Sequence, residues 1–225
     1  MATESGNPGR WCGVCGSVTA LVMLFTILLA GCQSINPLPS FGVGDGRPQE
    51  ARIRELMKWH SGRVEVYRDF RTVFTARAVY LSDEIQHLAV DWEARSKLMS
   101  PEERKTLEKL HLGEEEPLIK ILVGFYTPEE KLNDLTREDS PWIPYLKNPD
   151  GTVTKATCLM MDEDKTRIYM RFLRWDLSWS KLYLLCFPYA PALYSPGDAW
   201  LTMAISGPTG QGEIRLQMTP PVHDP

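Results

Sequence analysis

Beyond residue 60 the chain is written mostly in a two-residue alternation of apolar and polar positions, broken in a few places by the wider spacing of a helix. Between Pro48 and His60, Ile53, Leu56 and Met57 share one helical face, with Pro48 suited to the first turn and Gly62 placed to end the helix. Then the period falls to two. Val64-Glu65-Val66 and the run from Arg71 to Leu81 alternate as strands rich in Val, Thr, Phe and Tyr, with Asp69-Phe70 as the break between them. Ser82 has the character of an N-cap, with Asp83 and Glu84 in the positive first turn and Ile85, Leu88, Ala89 and Trp92 on one stripe. Ser100-Pro101-Glu102-Glu103 joins a capping box to a proline at the first helical position, and Leu107 and Leu110 carry the apolar face as far as Gly113. These two helices predict an antiparallel hairpin packed beside a sheet.

The remainder alternates again. A strand from Leu118 to Tyr126 is followed by a third capping-box pattern, Thr127-Pro128-Glu129-Glu130, which predicts a short helix through Leu135. Shorter strands follow at Ile143 to Leu146, Val153 to Met161, Thr166 to Phe172, Lys181 to Phe187, Ala199 to Ser206 and Glu213 to Met218, with Asn148-Pro149-Asp150-Gly151 as a turn. About eight strands joined by short connections predict a mainly β, α+β fold: an antiparallel β-sandwich or open barrel with the helical hairpin inserted. The expected domain is single and runs from residue 49 to 218, with a tail over 219–225.

Before that domain the character of the chain changes twice. Residues 33–48 are rich in Ser, Asn, Pro and Gly and suit a flexible tether. The segment from Val18 to Ala30 is apolar apart from Thr19 and Thr26, and about thirteen residues is short of a membrane-spanning helix but fits the core of a secretory signal. It ends in Leu29-Ala30-Gly31-Cys32, which resembles the lipobox of bacterial lipoproteins. That resemblance implies cleavage between Gly31 and Cys32, removal of residues 1–31 as a signal peptide, and a diacylglyceryl group on the Cys32 thiol with acylation of the new amino group. Two or three acyl chains give stable attachment where one is marginal. Gln33 follows the cysteine where an Asp would signal inner-membrane retention in that family, so the resemblance favours the outer membrane, facing the periplasm. The domain is also similar to a group of uncharacterised envelope lipoproteins that share a strand, a helical hairpin, and then the segments seen here at Phe125 to Pro128 and Asn133 to Leu135.

Composition narrows the functional classes. A net charge of −4, with basic residues scattered among acidic ones, gives no nucleic-acid stripe. The four histidines, His60, His87, His111 and His223, lack metal-site spacing, and no G-x-S-x-G occurs, so neither a metal nor a cofactor is expected. Cys12 and Cys15 leave with the leader. Cys158 and Cys186 remain as a possible disulfide in a compartment that permits one, or as thiols that could work with His87, although apolar strands are poor places for a reactive thiolate. Asp162-Glu163-Asp164 reads as a solvated turn between strands rather than a glycan-cleaving pair, and Glu114-Glu115-Glu116 as a charged loop. The most suggestive feature is aromatic: Trp175 and Trp179 near one connection, Tyr189 and Tyr194 in a Pro-rich next one. Such rings either present a partner-binding loop or close the end of the core. The expected protein is thus a membrane-anchored envelope lipoprotein with a non-enzymatic role in binding another envelope protein or in assembly. The alternative is a hydrolase of cell-wall glycan, peptide or lipid.

Overall fold

Nine strands and four helices are present among the described residues, which are 47–113, 117–148, 151–189 and 200–219 of a computed structural model. In chain order they are α1 (Arg47–Trp59), β1 (Ser61–Arg68), β2 (Arg71–Tyr80), α2 (Asp83–Ser96), α3 (Pro101–Leu112), β3 (Leu118–Tyr126), β4 (Ile143–Lys147), β5 (Val153–Lys155), β6 (Cys158–Met160), α4 (Glu163–Met170), β7 (Lys181–Pro188), β8 (Trp200–Gly207) and β9 (Gly210–Gln217). The leader, Gly31, Cys32, residues 33–46 of the expected tether, Glu114-Glu115-Glu116, Tyr194 and residues 220–225 lie outside the described residues, whereas Arg47 and Pro48 belong to α1.

The strands form two antiparallel sheets, one ordered β1-β2-β3-β7-β6 and the other β5-β4-β8-β9. Their inner faces make one core: Phe74, Ile121, Val123, Phe125, Tyr183, Leu185 and Phe187 meet Trp142, Leu146, Met203, Ile205, Ile214 and Leu216. This is the sandwich that the alternation predicts. In β9 the pattern is legible residue by residue, since Ile214 and Leu216 are buried while Glu213 and Arg215 face outward. The sheets come closest where β1 meets β9. A Cβ at Gly62 would lie 2.5 Å from Ile214 Cγ2, so this glycine permits the close approach rather than ending α1.

The other face of the five-stranded sheet is covered by helices. Val79, Leu122 and Leu184 pack there against Ile53, Leu56, Met57, Ile85, Ala89, Val90, Ile168, Tyr169 and Phe172. The predicted hairpin is therefore part of a third layer that covers much of that face. Buried on both faces, β3 and β7 read as near-continuous apolar runs.

Three local expectations are corrected. Residues Thr166 to Phe172 are not a strand: Glu163–Met170 form α4, capped by Asp162, whose carboxylate accepts the backbone N–H groups of Asp164 and Lys165. The Asp162-Glu163-Asp164 cluster is thus a helix start rather than a turn between strands. Residues Val153 to Met161 are two strands in different sheets, with Thr157 N–H bonded to Cys186 O at the crossing. The pattern at Thr127 forms no capping box, because the Thr127 hydroxyl donates to Val73 O and only a 3₁₀ turn, Glu130–Leu132, follows. By contrast, Ser100 and Glu103 do form the reciprocal box at the start of α3.

Candidate functional site

The helical layer does not cover the whole sheet. Along β3 the side chains on the helix-facing side are Lys120, Leu122, Gly124 and Tyr126. Lys120 and Leu122 are buried, Gly124 lies beneath Trp175, and Tyr126 opens into a groove of about 290 Å³. The groove floor is a patch of paired strand positions: Arg63, Arg77 and Gly124 stand in register across β1, β2 and β3, as do Glu65, Thr75 and Tyr126. Its wall is the connection from Trp175 to Ser180.

The floor carries an electrostatic conflict. Like charges directly opposite on neighbouring strands cost roughly 0.2–1 kcal/mol relative to neutral pairs. Among the described residues Arg63 has one ion-pair partner, Glu65, at 3.8 Å on an exposed surface. Arg77 has no hydrogen bond or ion pair among the described residues. The Asp176 carboxylate is near enough to feel it, but that group sits below the usual carboxylate range first through its hydrogen bonds from Ser178. Two guanidinium groups therefore face the groove with little internal neutralisation.

The wall is stiff. Trp175 is half-buried with its ring over Gly124, where an added Cβ would come 3.3 Å from Cε3 and Cζ3. Ser178 is held to Asp176, Ser180 N–H bonds Leu177 O, and Asn133 Nδ2 donates to Trp179 O. Asp134 stands 3.9 Å from Lys181, and Leu135 N–H reaches the Tyr183 hydroxyl, whose pKa burial pushes up to about 12. Of the segments singled out in the sequence, Phe125 to Pro128 contributes only Tyr126 to the groove floor, and Asn133 to Leu135 braces the wall through Asn133. With its backbone fixed, Trp179 leaves its side chain 77% exposed.

Of the four aromatic residues suggested by sequence, Tyr194 lies outside the described residues and the other three do not converge. Trp175 and Trp179 lie just before β7 and Tyr189 just after it, so a full strand separates them. Tyr189 instead lines a second, polar cleft of about 600 Å³ with Tyr80, Asp83, Gln86, His87, Lys120 and Met218. The Lys120 ammonium donates to Gln86 Oε1 at 2.9 Å and His111 O at 2.7 Å. Burial first, then Asp83 and Tyr189, hold the Tyr80 hydroxyl above its ordinary pKa. A disulfide joins Cys158 to Cys186, directly opposite on β6 and β7, so neither thiol is available to His87. Among the described residues no cluster of His, Cys, Asp or Glu is arranged to hold a metal ion, and no helix is long and apolar enough to cross a membrane.

Arg63, Arg77, Tyr126 and the wall's bracing through Asn133 were missed by sequence reasoning. The in-register Arg63–Arg77 pair was the available signal, but it needs strand pairing to be visible. No protein-family model and no curated protein matches this chain. Among solved structures it is similar to a novel protein of unknown function from Burkholderia pseudomallei K96243, at 13% identity over 76% of this chain and 84% of that one, with a TM-score of 0.44.

Proposed function

We propose that this is a lipid-anchored envelope protein, held outside the cytoplasm by acyl chains on Cys32, whose folded domain binds another envelope protein without chemistry of its own. The observation that carries the binding role is the groove: an exposed Trp179 on a braced wall, beside two arginines that the protein itself leaves poorly neutralised. Trp, Tyr and Arg dominate the energetics of protein docking sites, and rigid backbone lowers the entropic cost of using them. A partner presenting carboxylates would relieve the Arg63–Arg77 repulsion on binding. The Cys158–Cys186 disulfide supports residence in an oxidising compartment.

The test places a photo-crosslinking amino acid at position 179 of the full chain in a bacterial envelope. The expected outcome is one discrete adduct with an envelope protein that disappears in Arg77→Glu and weakens in Cys32→Ala. Adducts that are diffuse, or indifferent to Arg77→Glu, would remove the docking role. Intact mass tests the anchor separately: the wild type should lose residues 1–31, gain diacylglycerol and acyl mass and enter detergent, and Cys32→Ala should do none of these.

A further inference from the structure

The hairpin of β1 and β2 extends past the end of β3, since Tyr126 pairs with Thr75 and nothing in β3 pairs with Thr72 or Arg71. Its two-residue turn is Asp69-Phe70, both in the left-handed region at φ 48° and 63°, with Arg68 opposite Arg71. A turn of this type favours Asn-Gly, and a bulky phenylalanine there is strained. Burial offers no compensation, because Phe70 is 106% exposed and Tyr67 59%. Strain held without a packing return points to a use at that position.

Charge says what that use is. Over residues 61–80 four arginines (Arg63, Arg68, Arg71, Arg77) outnumber Glu65 and Asp69, giving +2 within a chain whose net charge is −4. The guanidinium groups of Arg68 and Arg71 have no ion pair or hydrogen bond among the described residues. An exposed aromatic tip flanked by free arginines fits the boundary of an anionic bilayer, where the ring enters the headgroup region and the cations meet phosphates. Resting on the reading that Cys32 carries the lipid, we infer that the Tyr67–Arg71 tip is a second membrane contact, made with anionic phospholipid headgroups. One ring and two arginines bind weakly alone. Residues 33–46 span at most roughly 50 Å, however, so an anchored domain meets the bilayer at an effective concentration on the order of millimolar. The contact then fixes how the domain, and the groove beside the hairpin, stand on the membrane.

The experiment uses the chain from residue 33 without lipid, which retains every core residue from Ile53 to Met218. It measures co-sedimentation with phosphatidylethanolamine vesicles with and without phosphatidylglycerol. Expected is binding that requires phosphatidylglycerol and falls at least tenfold in Arg68→Gln/Arg71→Gln and in Asp69→Asn/Phe70→Gly. The latter variant should be the better folded of the two because it relieves the turn. Leu98→Gly, at the other exposed apolar residue with positive φ, should bind as wild type does. No wild-type binding at any lipid concentration, binding indifferent to phosphatidylglycerol, or equal binding by the hairpin variants would overturn the inference. Because the assay involves no lipidation, its failure leaves the anchor intact, and a failed mass test leaves a positive vesicle result standing.

Discussion

Single residues in this domain carry costs that their neighbours explain. Leu98 follows α2 in the left-handed region at φ 51° and is 77% exposed. Its N–H bonds Arg95 O and that of Met99 bonds Ala94 O, a helix ending that glycine serves best. Leu98→Gly should therefore stabilise the protein by about 1 kcal/mol, as a higher urea midpoint at unchanged slope. His111 shows the opposite kind of cost. It is buried, its Nε2 lacks a hydrogen-bond partner, and burial, then Lys120, lower its pKa from 6.5 to about 4. Between those values the unfolded chain binds the proton and the folded one does not, so stability is full above pH 6.5 and is lost as pH falls toward 4. The loss from this group is about 3 kcal/mol at most, and His60, shifted the same way chiefly by burial, adds to it. Urea unfolding across this range should show a shallower pH dependence in His111→Leu. An unchanged dependence would assign the acid sensitivity elsewhere.

At the scale of elements, the clearest departure from the sequence reading is α4. Thr166, Ile168, Met170 and Phe172 alternate with charged or aromatic residues and look like a strand, yet Thr166, Ile168, Tyr169 and Phe172 are buried while Met170 is exposed. The Asp162 cap and the acidic first turn settle the competition locally. Arg171, stacked 3.9 Å over Trp92 and facing the buried Glu93, ties the helix end to α2. Side-chain caps start α2, α3 and α4 alike, so in this chain a cap outweighs a two-residue apolar period. Strand β6 is a different case: three residues cannot hold a sheet edge by themselves, and the disulfide fastens it to β7. Closing a loop over a separation of 28 residues contributes about 3.6 kcal/mol by chain entropy. Cys158→Ala/Cys186→Ala should lose that amount in urea unfolding and exchange the Thr157 amide, bonded to Cys186 O, faster than those of β3.

The molecule as a whole is organised by its middle sheet. The alternation of β2 and β9 made the sandwich legible, but the third layer was hidden, because the apolar runs of β3 and β7 do not say what lies on either face. The groove was hidden for the same reason. It exists where the helical layer stops, and no local pattern marks that boundary; only its aromatic wall, Trp175 and Trp179, was visible in advance. Sharing one sheet also couples the two cores. Ile121 points into the sandwich and Leu122 into the helical layer, adjacent on one strand and both fully buried. If the layers were separable folding units, Leu122→Ala would loosen the helices and leave the sandwich transition in place. With β3 and β7 common to both, neither core can open without exposing the back of the other. Leu122→Ala and Ile121→Ala should then each cost about 3 kcal/mol and move one single transition, with helical circular dichroism and the NMR ring signals of Tyr183 changing together. Two resolved transitions in Leu122→Ala would show that the helical layer is an independent attachment to a self-sufficient sandwich.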